Sequence, residues 1–187
     1  MTKKHTRASH GADRNPAIML AATQLNIVTV IDVAGAVRTD TLENNAALVD
    51  NSGSSTNKGT SNLRTYCQQG QALNWLIYCM DQQKRPDGTW PPFARISNIV
   101  FLHDDGTARS NQLCINLKVY GGPDAMRSPW TPVYYYWAGM LRPELEPGVY
   151  KYRLIIECDT EDPDKKKYFE LDGPSLEVVA MDQAKAA

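Results

Sequence analysis

The sequence predicts an all-β fold: an antiparallel, jelly-roll-like β-sandwich of about eight or nine strands with at most one short helix. Three observations lead there. Apolar runs of strand length, rich in Val, Ile, Tyr and Trp, recur along the chain. Turn signals such as Arg85-Pro86-Asp87-Gly88 and Asp104-Asp105-Gly106 separate them. A single segment has helical spacing, and no self-similar period of roughly 20–50 residues is visible, which disfavours propellers and solenoids. A closed barrel is the other way such strands could bury their apolar faces. The length of 187 residues suits one domain, able to bury roughly 70% of its unfolded surface without a staple.

Residues 1–22 are expected to be a disordered basic arm bearing Lys3, Lys4, Arg7 and Arg14. The sandwich is expected over 23–181, and a polar tail over 182–187. Asn26–Val33 is a nearly continuous β-branched run, which predicts a central strand covered on both faces. Leu42, Ala46, Ala47 and Leu48 permit one short helix near 40–48, capped by Thr39 or Asp40. Asn51–Asn62 is a long Gly/Ser/Asn loop with nothing to bury.

Punctuated strands follow. Leu63–Cys67 comes first. Leu73–Met80 places Leu73, Trp75, Ile77 and Cys79 on one face. Ile96–Leu102 is next, and then Leu113–Tyr120, with Leu113, Ile115, Leu117 and Val119 on one side. Val133–Met140 carries Tyr134, Tyr135, Tyr136 and Trp137. Val149–Cys158 points Tyr150, Tyr152, Leu154 and Ile156 one way. Lys167–Leu171 and Leu176–Ala180 close the set.

Charge narrows the function. Twenty Lys and Arg against 21 Asp and Glu leave a net charge of −1, which argues against a polyanion binder working by bulk electrostatics. The arm has too few charges, and no interleaved aromatic residue, to favour nucleic acid. No apolar run is long enough for a membrane span. The segment from Lys3 to Ala22 makes a poor signal peptide, because Thr23 and Gln24 interrupt the apolar run and Asp13 lies among the basic residues. The chain is therefore expected in the cytoplasm, in inclusions or released without a cleavable signal. Cys67, Cys79, Cys114 and Cys158 show no CxxC spacing and read as reduced, buried, small hydrophobes. Two disulfides in a secreted domain are the alternative.

Catalytic material is sparse. His103 with Asp104 and Asp105 reads as an exposed turn, since a hydrolytic site needs a nucleophile, a base and an orienting group assembled by the fold. Glu144 and Glu146, two apart between prolines, read as a solvated loop rather than a glycosidase pair. The Asp159–Asp164 acidic stretch lacks the ligand ladder of a calcium loop. No catalytic, cofactor or metal residues are assigned. The loop aromatics are the remaining candidates. Trp90 and Trp130 lie in loops beside prolines and polar residues, where they could stack on sugars or meet a protein partner, and Tyr135 is a further stacking candidate.

The order of several segments carries a family resemblance. These are Asn26–Val33 with Asp32 at its end, Leu48-Val49-Asp50-Asn51-Ser52-Gly53 before the polar loop, and Gly70-Gln71-Ala72-Leu73-Asn74-Trp75. Tyr134-Tyr135-Tyr136-Trp137-Ala138-Gly139 follows, then Gly148-Val149-Tyr150-Lys151-Tyr152 and Asp172-Gly173-Pro174. Over roughly 24–180 this order resembles the AidA/PixA family of bacterial inclusion-body and quorum-sensing-linked proteins. The basic arm departs from that pattern, as does Tyr168–Pro174, which lacks the tryptophans associated with the family's closing run. The resemblance implies an all-β, non-enzymatic protein that in some members forms intracellular inclusions, and it transfers no catalytic residue.

The leading expectation is a non-enzymatic bacterial protein acting by self-association or partner binding, a homo-oligomer held by edge strands or aromatic loops. The alternative is a carbohydrate-binding, lectin-like module. There Trp90, Trp130 and Tyr135 would be the platforms, and Asp50, Asn51 and the loop they open would add hydrogen bonds. An enzyme centred on His103 and a coat-like protein with a nucleic-acid-binding arm are the weaker competitors.

Overall fold

The computed structural model describes residues 24–81, 83–121, 135–162 and 164–181. The expected basic arm, the polar tail and Trp130 lie outside these residues. The described strands are β1 (Leu25–Ile31), β2 (Ala46–Asp50), β3 (Arg64–Gln68), β4 (Ala72–Cys79), β5 (Ala94–Leu102), β6 (Cys114–Tyr120), β7 (Tyr136–Leu141), β8 (Gly148–Asp159), β9 (Lys166–Leu171) and β10 (Ser175–Val179), with one helix, α1 (Val33–Thr39). One sheet runs β2-β1-β4-β7-β6. The other runs β3-β10-β8-β5, with β9 also on β8. Both contribute to a single apolar core, so the arrangement is sandwich-like and not a closed barrel.

Two expectations about the sheets need correction. The described residues form ten strands rather than eight or nine, because Ala46–Asp50, expected to fall at the end of a short helix and before a loop, is a strand. The sheets are mixed rather than antiparallel throughout, since β1 pairs parallel with β4 and β3 parallel with β10. The reason is connectivity. After β2 returns antiparallel beside β1, the chain crosses to the other sheet as β3. It then comes back as β4 on the opposite side of β1, running in the direction of β1.

Strand β8 is long enough, at about 40 Å, to serve two partners along one edge. Gly148–Lys151 pair with β10 and Leu154–Asp159 pair with β9, while β5 occupies the other edge. The alternation expected in β4 and β8 is present. Leu73, Trp75, Ile77 and Cys79 point inward from one sheet, and Tyr152, Leu154 and Ile156 from the other.

The helix sits earlier than expected. Asp32 is its N-cap, accepting a 2.9 Å hydrogen bond on Oδ1 from the Gly35 amide. Asp40 does not begin a helix but ends one, in the left-handed conformation at φ 58°. Helical propensity was a poor guide here because Gly35 stands in mid-helix. A Cβ at that position would collide with the side chains of Asp32 and Asn45. β1 is central, but its two faces differ. Leu25, Ile27, Thr29 and Ile31 are buried, while Val28 and Val30 are only half-buried.

In β6 the expected alternation fails at a bulge. Asn116 takes φ 54° and the register with β7 shifts between Ile115 and Lys118. Cys114 and Leu117 therefore face the core, and Ile115 does not.

All four cysteines are free and buried. Burial raises each thiol above its ordinary value. Cys114 is pushed up to about 12, and so is Cys158, with nearby Cys79 adding a smaller contribution.

Candidate binding face

Of the expected contact residues, Asp50 and Asn51 are placed by local hydrogen bonding. Asp50 closes β2 with its side chain fully buried. Its Oδ1 accepts from the Ser52 amide at 3.1 Å and pairs with Lys58 Nζ at 3.2 Å. Lys58 also donates to the carbonyls of Asp50 and Ser52, so one ammonium group folds the loop back on itself. Asn51 ties that corner to β1. Its Oδ1 accepts from the Asn26 amide at 2.8 Å, and its Nδ2 donates to the Gln24 carbonyl at 3.1 Å.

The polar loop is thus a fastener. Thr60 and Gly59 bond the backbone of Leu48 in β2, and Thr56 exchanges two 3.0 Å backbone bonds with Arg64 at the start of β3. It covers an edge of each sheet.

Trp90 is 69% exposed, beyond a turn closed by Arg85 and Thr89, with Lys84 Nζ 5.9 Å from its ring centroid. The half-buried ring of Tyr135 is covered by the Arg95 guanidinium at 5.4 Å. Arg95 in turn bonds Glu157 at 2.9 Å, and the Tyr168 hydroxyl donates to the same carboxylate oxygen at 3.2 Å. Arg95, Glu157 and Tyr168 form one row across β5, β8 and β9.

His103 is exposed at the mouth of a hairpin in which Asp105 Oδ1 accepts from both the amide and the hydroxyl of Thr107. Those bonds, the hydroxyl's first, hold the Asp105 carboxyl below the usual range. Among the described residues no three His, Cys, Asp or Glu side chains are grouped to hold a metal ion. No helix among them is long and apolar enough to cross a membrane.

Besides a small hollow of about 220 Å³ beside Asn51 and Ser52, two wider concavities stand out among the described residues. One, of about 780 Å³, lies between the 41–47 turn, Gly59–Ser61 and the end of β9. Of its carboxylates Glu43, Glu170 and Asp172, the last two are engaged by Arg153, at 2.6 and 2.5 Å. The other, of about 650 Å³, is a groove on the outer face of β1, β4, β7 and β6.

This groove has a distinct chemistry. Asn74 Nδ2 donates to Asn26 Oδ1 at 2.8 Å, across the parallel register of β1 and β4, and to Gln24 Oε1 at 3.3 Å. At the far side Tyr120 and Tyr136, paired across β6 and β7, stack at 5.4 Å with an 18° interplanar angle. Asn116 is presented by the bulge, and Tyr78 stands 47% exposed. Ala72 and Ala138 contribute only methyl groups to the lining. At Gly139 a Cβ would lie 3.1 Å from Cys114 Cβ and 3.2 Å from Leu117 Cα, tighter than most side-chain contacts. Its absence lets the bulged strand pack closely.

Among the described residues, none of the contacts expected from the sequence lines this groove. The available signal was the placement of carboxamides at outward positions of strands, where β-propensity disfavours them.

A family model described as a domain of unknown function (DUF8788) matches residues 23–87, the stretch that holds β1 to β4 and α1. No curated protein matches the sequence. Among solved structures, the chain is similar to the crystal structure of the inclusion body protein PixA from Burkholderia cenocepacia J2315. The match has a TM-score of 0.55 and 13% identity, over 86% of this chain and 96% of that one. At that identity the likeness is one of fold, and the fold is PixA-like.

Proposed function

We propose that this chain is a non-enzymatic protein of the bacterial inclusion-body type, acting in the cytoplasm by self-association. The observation that carries the reading is the likeness of fold to an inclusion body protein across nearly the whole of both chains. The sheet edges suggest how copies would meet. The polar loop covers β2 and β3, the 103–109 hairpin bonds the end of β5 at Phe101 and Leu102, and Lys167 of β9 bonds the Val37 carbonyl at the end of α1. Among the described residues nothing pairs with the outer edge of β6, where Val119 is 41% exposed. An unpaired edge of this kind is a template for another strand, and two copies meeting there would continue one sheet across a two-fold axis.

Light scattering coupled to size exclusion at rising concentration tests this. A mass that grows with concentration, and falls back to monomer in Val119→Lys, is expected. A protein that stays strictly monomeric overturns the reading.

A further inference from the structure

We propose that the groove on the outer face of β1, β4, β7 and β6 is a binding site for a neutral saccharide. Its lining is unusual for this chain. Charged residues make up 22% of the sequence, yet none lines the groove among the described residues. Instead it offers the carboxamides of Gln24, Asn26, Asn74 and Asn116 and the phenols of Tyr78, Tyr120 and Tyr136. Carboxamides both donate and accept, as sugar hydroxyls do. Asn74 spends its two amide protons on Asn26 and Gln24. That ties the three side chains together and leaves Asn74 Oδ1 and Asn26 Nδ2 without partners among the described residues.

The stacked Tyr120–Tyr136 pair supplies a rigid aromatic wall, suited to the C–H face of a pyranose ring. The volume, about 650 Å³, lies in the range of small-molecule sites, roughly 300–1,000 Å³. An anion finds no lining cation. Lys118, beside the lining on β6, has its ammonium 5.0 Å from the Tyr120 ring centroid and is engaged there. A cation finds no carboxylate. The loop residue Asn51 contributes at one remove, by holding the backbone of Gln24 and Asn26. The site differs from the loop platforms Trp90, Trp130 and Tyr135, and it does not depend on self-association.

The test is an array carrying neutral oligosaccharides beside sulfated and sialylated ones, followed by calorimetry with the best-retained neutral sugar. Retention of neutral sugars is expected. Asn74→Ala and Tyr120→Ala should each weaken binding at least tenfold, and Trp90→Ala should leave it unchanged. Asn116→Gly keeps the left-handed backbone while deleting the carboxamide, so a several-fold loss in that variant separates recognition from misfolding. Failure to retain any neutral sugar overturns the proposal. So does a preference for the acidic sugars, or a loss that follows Trp90 rather than Asn74 and Tyr120.

Discussion

The indole of Trp75 meets the ring of Tyr152 edge-on, with centroids 6.1 Å apart and planes at 79°. Trp75 comes from β4 of one sheet and Tyr152 from β8 of the other, so this contact locks the two sheets together. Phe101 of β5 extends it, at 6.5 Å from Tyr152. Both rings are fully buried. Among the described residues, neither the Trp75 Nε1 nor the Tyr152 hydroxyl has a hydrogen-bond partner. Burial raises the Tyr152 hydroxyl well above its ordinary value.

The ring and the hydroxyl of Tyr152 should therefore separate in mutants. Tyr152→Phe keeps the edge-to-face packing and removes a buried group lacking a protein partner, so its stability should lie within about 1 kcal/mol of wild type or above it. Tyr152→Ala and Trp75→Ala each open a large cavity between the sheets and should cost about 3–5 kcal/mol. Urea unfolding at constant m-value checks both outcomes.

The Asp50–Lys58 pair sets a second expectation. Asp50 is fully buried at its side chain while Lys58 is about a third exposed. Removing the lysine leaves a buried carboxylate whose Oδ2 already has no partner among the described residues. Lys58→Ala should cost roughly 2 kcal/mol, less than a fully buried pair because the ammonium is partly hydrated. It should also free the 51–62 loop from the edges of β2 and β3. Faster proteolysis within that loop and earlier aggregation on heating are the expected signs. Unchanged cleavage there would remove the loop's role as an edge cover.

What was legible in the sequence was local. β4 and β8 announced their inward faces because alternation is a property of neighbouring residues, and Leu73, Trp75, Ile77 and Cys79 carry it without interruption. The parallel partnership of β1 and β4 was not legible. Asn26 and Asn74 are joined only by the chain's excursion through the second sheet, and no local pattern records that excursion. The groove shares this property, since its walls come from four strands. The helix was misplaced for a different reason. Asp32 looks like the end of a strand until its carboxylate is seen to cap Gly35, and the glycine that weakens helical propensity is the residue the close approach of Asn45 demands.

Asn116 tests the bulge. Its φ of 54° is tolerated by Asn and Gly but strained for a β-branched residue. Asn116→Gly should leave stability nearly unchanged, whereas Asn116→Val should cost about 1–2 kcal/mol. The valine variant should further disturb Cys114 and Leu117, which the register shift turns toward the core. Thermal unfolding of the two variants side by side decides this, and equal melting points would contradict the bulge.

The buried thiols predict how stability falls at alkaline pH. Cys114 and Cys158 are both raised from an ordinary 9.0 to about 12, chiefly by burial. Between those values the folded chain holds protons that the unfolded chain has released. By linkage, stability then declines as pH rises through this window, while below about 9 these groups impose no penalty. The same shift keeps the thiolate, the reactive form, scarce in the native protein. A disulfide-exchange reagent at pH 8 should therefore label no cysteine at a rate above that of global unfolding. All four thiols should react at once when denaturant is added. Cys114→Ser and Cys158→Ser should each flatten part of the alkaline decline. Rapid labelling of a native thiol at pH 8 would show that the core around β6 or β8 opens locally.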